Sequence, residues 1–176
     1  MSLYQSLLEI LDTRSFSTLW YWIALLGFWS AAGGRVLGLP YDIAFAARQG
    51  SETAAADLET MTPILARRQM ALTQGTGGLI AVALAALVLA LLLVLGFFYG
   101  LELAQAAVFF ALPLCLLMLM RLALARRILR DAPAGEDLAR LMLRHRGWVQ
   151  FLAMTSVFLA VLWGMWHSLT TGVLGN

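Results

Sequence analysis

GGLIAVALAALVLALLLVLGFFYGLELAQAAVFFALPLCLLMLM, residues Gly77–Met120, decides the fold. Between Arg68 and Arg121, Glu102 is the only acidic or basic side chain. One transmembrane helix needs about 20 apolar residues to cross roughly 30 Å of hydrocarbon, so this stretch holds two. The turn belongs at GFFYGLE, Gly96–Glu102, with spans over 77–98 and 103–120. Glu102 then opens the second helix of the hairpin, where the helix dipole favours a carboxylate.

Two further segments are apolar over the required length: 16–37 and 148–170. The first contains SAAGGRVLGLPYD, Ser30–Asp42, in which two glycines run into an arginine. Phe16 to Arg35 is about 28 Å of helix, so Arg35 falls at the far interface, where its stem reaches water. The chain has 176 residues, 61% of them hydrophobic and 12% charged. Soluble domains carry about 25% charged residues, and a chain of this size cannot bury that much apolar surface in one core. The expected fold is all-α: a polytopic membrane bundle with four transmembrane helices.

Arginine placement orients the bundle. Arg35, Arg48, Arg67, Arg68, Arg121, Arg126, Arg127, Arg130, Arg140, Arg144 and Arg146 fall on one side, and Arg14 alone on the other. The positive-inside rule makes the loops 40–76 and 121–147 cytoplasmic and both termini periplasmic, in a bacterial inner membrane. No lysine occurs, and a net charge of +2 does not suggest nucleic acid. The single cysteine, Cys115, excludes an internal disulfide. No cleavable leader is expected, because the first fifteen residues include Glu9, Asp12 and Arg14 and lack a basic n-region.

Outside the spans, Leu3, Tyr4, Leu7, Leu8 and Leu11 form an apolar stripe, giving an amphipathic helix over 3–12 that lies on the outer interface or packs on the bundle. Loop 40–76 reads as a helical cap. Gly50 ends one short helix, Ser51 caps the next, and Thr62-Pro63 stops that helix and starts a third. In loop 121–147 a cationic helix continues through Arg130, DAPAGED turns, and Glu136/Arg140 form an i,i+4 pair.

Three groups of residues are candidate sites. Ser156, Ala160, Gly164, Ser168 and Gly172 recur every four residues, as do Ser30, Gly34 and Gly38. Small residues at that spacing allow membrane helices to approach closely, within the chain or toward another subunit. Trp22, Trp163 and Trp166 gather at the periplasmic end with His167 and Glu102. They form an aromatic belt or a pocket for a flat ligand, either a quinone or a lipid headgroup. Arg35, Arg67, Arg68, Arg126, Arg127 and Arg130 suit lipid headgroups or a partner protein.

No catalytic motif, metal-ligand cluster or paired intramembrane carboxylate appears, so neither an enzyme nor a metal site is expected. No cofactor is expected either, with quinone and haem as the alternatives. His145 and His167 lie about 33 Å apart on one helix and could not clamp a haem between them. Pro113 breaks the amide ladder in mid-span, but the midplane lacks the ionisable groups that transporters and channels usually keep there.

LYQSLLEILDTRSFSTLWYWIALL, VLGLPYDIAFAARQG, ADLE, LGFFYGLELAQA and LWGMW together resemble a family of small alphaproteobacterial membrane proteins often labelled "component of SufBCD complex". The resemblance implies a link to iron–sulfur cluster assembly. One cysteine cannot hold a cluster that usually takes about four thiolates, so the implied role is docking or scaffolding through the cap. The expected function is a non-catalytic accessory, assembly or scaffold protein that packs against membrane partners or its own copies. A ligand binder is the second reading, and a small transporter or channel-forming oligomer the third.

Overall fold

A computed structural model describes residues 19–173, with the side chains of residues 168 and 170–173 excepted. The expected interfacial helix over 3–12, Arg14, the first residues of segment 16–37, and the side chain of Ser168 and packing of Gly172 lie outside what is described.

The chain folds as helices α1 (Leu19–Gly33), α2 (Tyr41–Arg48), α3 (Glu52–Ala71), α4 (Gly75–Leu93), α5 (Glu102–Asp131) and α6 (Gly135–Val173). A two-stranded hairpin, β1 (Arg35–Val36) and β2 (Leu39–Pro40), joins α1 to α2, and a π-turn, Val94–Phe98, ends α4. Among the described residues, three segments are long and apolar enough to cross a membrane: Gly75–Phe98, Glu102–Asp131 and Gly135–His167. The described part of α1, 15 residues, is shorter.

The first segment therefore departs from the expected helix over 16–37. The glycine pair ends α1 at Gly33, and the chain folds back antiparallel with Arg35 opposite Pro40 and Val36 opposite Leu39. The two-residue turn puts Leu37 at φ 53° and Gly38 at φ 96°. Two positive φ values match the right-handed twist of a tight hairpin. A left-handed leucine costs roughly 1–2 kcal/mol. That strain is offset because the Leu37 side chain packs into the cap core. Arg35 remains exposed just beyond the helix.

Gly50 and Ser51 act as expected between α2 and α3. Gly50 takes φ 93°, and the Ser51 hydroxyl accepts the Ala54 amide at 3.4 Å. The expected break at Thr62-Pro63 does not occur. Pro63 lies inside α3, which runs unbroken for 20 residues. Leu58, Thr62 and Ala66 are spaced by four, so one buried stripe continues through the proline. Leu58 and Ala66 share the cap core with Leu124, Ala125 and Ile128 of α5, and that packing offsets the amide hydrogen bond that Pro63 cannot make.

Helices α5 and α6 contain 30 and 39 residues, about 45 and 58 Å of helix. Both exceed the roughly 30 Å of a bilayer's hydrocarbon, and each carries its arginines toward the end where the two helices are joined. Pro113 is accommodated within α5. The turn between them is short: Ala132 is left-handed at φ 41°, and Pro133 and Ala134 follow. Arg140 donates to Glu136 at 2.7 Å, as the i,i+4 spacing requires.

Two cores result. At the arginine-rich end, the hairpin, α2 and α3 enclose the protruding halves of α5 and α6 around Leu58, Ala125, Ile128, Leu138 and Met142. Further along, Leu25, Trp29 and Ala32 of α1 pack with Leu117 of α5 and with Val149 and Ala160 of α6. Helix α4 joins neither. It packs along α5 through Leu89, Leu92 and Gly96, and Gly78 is the one buried residue within α4.

The cap is tied together by a contact between distant residues. Glu59 Oε1 on α3 accepts the Gly135 amide at 2.6 Å, which satisfies the first exposed N–H of α6. A carboxylate there also meets the positive end of the α6 dipole. Glu59→Ala is expected to cost about 0.5–2 kcal/mol, as for other lost N-caps. Thermal unfolding followed by helical circular dichroism measures it, with Glu52→Ala as the control.

Candidate functional site

The α4–α5 turn builds the polar centre of the aromatic end. Within Val94–Phe98 the Tyr99 amide donates five residues back to Val94, at 3.2 Å, and Gly100 turns the chain at φ 72°. A π-turn releases a carbonyl from the regular ladder. Here it is that of Gly96, and Gln105 Nε2 on α5 donates to it at 2.8 Å. Gln105 Oε1 accepts from Trp163 Nε1 on α6 at 3.0 Å. The amide orientation follows from its partners, since a carbonyl only accepts and an indole N–H only donates. One glutamine thus links three helices.

This clasp requires close contact between α4 and α5. A Cβ placed on Gly96 would lie 2.9 Å from the Gln105 amide nitrogen and 3.2 Å from the Ala104 carbonyl carbon. No side chain larger than hydrogen fits without moving the helices apart. Phe97 and Phe109 flank the Trp163 ring, with centroids 5.3 and 5.9 Å away. Beside it, His167 Nε2 and Glu102 Oε2 lie 3.5 Å apart, with side chains 25% and 18% exposed.

The structure thus brings Glu102, Trp163 and His167 together. Trp166 is exposed and lines an adjoining apolar groove of about 470 Å³ with Phe109, Leu162, Trp163 and Met165. Trp22 is not among that groove's lining residues; it packs with Tyr21 against the α1–α5–α6 core. Glu102 and His167 face each other, and the Trp163 N–H is committed to Gln105, so these polar groups hold helices together.

Of the small-residue stripe on α6, Ser156, Ala160 and Gly164 are buried within the chain, and the Ser156 hydroxyl bonds back to the Ala153 carbonyl at 3.0 Å. The stripe expected at Ser30, Gly34 and Gly38 is not a helix face. Ser30 is exposed, Gly34 follows the helix end, and Gly38 occupies the hairpin turn. Helix α1 instead uses large side chains, Leu25 and Trp29, to fill the space beside α5 and α6.

Arg35, Arg67, Arg68, Arg126, Arg127 and Arg130 are all exposed. Asp131 sits 2.8 Å from Arg130 and 3.5 Å from Arg127. Arg146, outside the expected set, stacks over the Tyr41 ring at 3.4 Å and ties α6 to α2. Gln105 was also missed. The available signal was that it is the one side-chain amide between Gly77 and Met120.

No protein family, curated protein or solved structure matches the chain.

Proposed function

We propose that the chain is a non-catalytic accessory or assembly subunit of a bacterial inner membrane. In this reading it has four spans, with periplasmic termini and its arginine-rich cap in the cytoplasm. The arginine asymmetry supports that orientation. The four-span count is supported by Leu25, Trp29 and Ala32, which share one apolar core with Leu117 and Ala160.

The observation that carries the accessory role is the apolar face of α4 that stays exposed among the described residues. Ile80, Leu84, Leu87 and Leu91 lie on the side opposite Leu89 and Gly96, each 51–61% exposed. The small-residue face of α6 is already used inside the chain, which leaves the α4 face to meet another subunit. A cap braced by α3 supplies a second docking surface, in keeping with the scaffold role that the SufBCD-labelled family implies.

Mild-detergent purification from the native membrane, followed by intact mass spectrometry, tests this. A stoichiometric membrane-protein partner is expected, lost to background when Leu84 and Leu87 are both replaced by Trp. Recovery of the chain alone overturns the proposal.

The groove beside Trp166 favours a second reading, a quinone or haem binder or a lipid site. It predicts copurification of a small molecule that is lost in His167→Ala.

A further inference from the structure

Where the apolar parts of α5 and α6 meet the arginine-rich end, the two helices leave a groove of about 640 Å³. The apolar run of α5 ends at Met120, before Arg121, and that of α6 begins at Trp148, after Arg146. Met120 and Trp148 both line the groove, so one end lies at the hydrocarbon boundary. From Met120 to Arg127, and from Trp148 to Arg144, the walls rise about 10 and 6 Å along the two helices. The upper end is lined by Arg127, Arg144 and His145, and Asp131 and Asp137 lie in the adjoining cleft that shares Arg127, Leu141 and Arg144 with it.

We propose that this groove binds one anionic phospholipid. Its phosphate lies between Arg127 and Arg144, and its glycerol and upper acyl chain run down past His145 toward Met120 and Trp148. The proposal rests on the membrane reading above and is independent of any protein partner.

The arrangement matches an amphiphile better than a soluble anion. Two cations from facing helices sit above an apolar floor, with an indole at the depth of the headgroups. Asp131 competes for Arg127 only weakly. Its closer contact, 2.8 Å, is with Arg130, and the Arg127 distance is 3.5 Å between exposed groups. Arg144 makes no hydrogen bond or ion pair among the described residues. Neither Arg126 nor Arg67 lines the groove, so the same two-charge loss can be made elsewhere on the cap.

The test uses the full chain in phosphatidylcholine nanodiscs. Tryptophan quenching by brominated phosphatidylglycerol is compared with quenching by brominated phosphatidylcholine, and Trp148→Phe isolates the groove signal. Preferential quenching by the anionic lipid is expected. Arg127→Gln with Arg144→Gln should reduce that preference about twenty-five-fold, from about fivefold per arginine. Arg67→Gln with Arg126→Gln should preserve it.

Ala123, exposed on the groove wall, allows a second test with both charges kept: Ala123→Phe fills the space and should also abolish the preference. An equal loss in the Arg67/Arg126 pair would mean general surface attraction and overturn the site. So would retained preference in the Arg127/Arg144 pair or in Ala123→Phe. Displacement of the lipid by millimolar inorganic phosphate would make this a free-phosphate site and overturn the lipid assignment. Quenching of the remaining tryptophans in Trp148→Phe by brominated phosphatidylcholine checks membrane insertion separately, so failure of the membrane reading is distinguishable from failure of the site.

Discussion

Gly96→Val is expected to separate α4 from α5. The added Cβ alone would lie 2.9 Å from the Gln105 backbone nitrogen, and backbone cannot swing aside as a side-chain tip can. Relief requires the hairpin to open, which breaks the Gln105 bond to the Gly96 carbonyl and pulls Gln105 from Trp163. Interhelical hydrogen bonds in membranes contribute about 0.6–1.7 kcal/mol each. Overpacking adds about 1–3 kcal/mol. The loss should therefore be on the order of 3–5 kcal/mol in a reversible SDS unfolding titration. Gln105→Leu removes both hydrogen bonds without adding bulk to the α4 interface, and should lose only about 1–3 kcal/mol. Equal losses for the two variants would show that the close approach at Gly96 contributes nothing of its own. A disulfide between paired cysteines on α4 and α5, formed in the parent and slowed in Gly96→Val, would report the separation directly.

The second large effect is expected at Ala160. Its side chain is fully buried where α1, α5 and α6 meet, beside Leu25, Trp29 and Leu117. Ala160→Leu adds three carbon atoms to a filled space and must displace α1, which shares that core through Leu25, Trp29 and Ala32. A loss of about 2–4 kcal/mol is expected, at or beyond the upper part of the usual overpacking range. Leu159→Ala, one residue away on an exposed face, should cost less than about 0.5 kcal/mol, because lipid fills the space it leaves. Trypsin sensitivity at Arg35 and Arg48 provides an independent readout: displacement of α1 should loosen the hairpin and accelerate cleavage there.

Much of the architecture was legible in the sequence because it depends on local composition. The run from Arg68 to Arg121, interrupted by the single charge of Glu102 and with a turn near GFFYG, needs only hydropathy and length, and the structure turns there. Gly50, Ser51 and the Glu136/Arg140 pair act within one helical turn, so they too could be read directly. The errors arose where distant residues intervene. Pro63 should break a helix, but Leu58, Thr62 and Ala66 pack as a stripe across it. The glycines at 34 and 38 looked like a contact face at four-residue spacing. Gly33 and Gly34 instead end the helix, and Gly38 makes the hairpin turn.

The candidate site divides in the same way. Glu102, Trp163 and His167 could be placed at one end of the molecule from their distance along each helix, and the structure unites them. Trp22 shares their end of the molecule but faces the α1 core, because rotation about a helix axis depends on its neighbours. Gln105 could be seen as an odd polar residue in an apolar run, yet its two partners lie 9 and 58 residues away in sequence. By itself, the sequence determined the all-helical class, the apolar spans, and the division into an arginine-rich and an aromatic end. Hydropathy and charge along one chain are enough for that. Only the tertiary structure decided which small residues are used internally, that α4 packs mainly along α5 among the described residues, and that α5 and α6 leave a basic groove between them. Those features depend on how helices rotate and approach, which is set by packing between residues far apart in the chain.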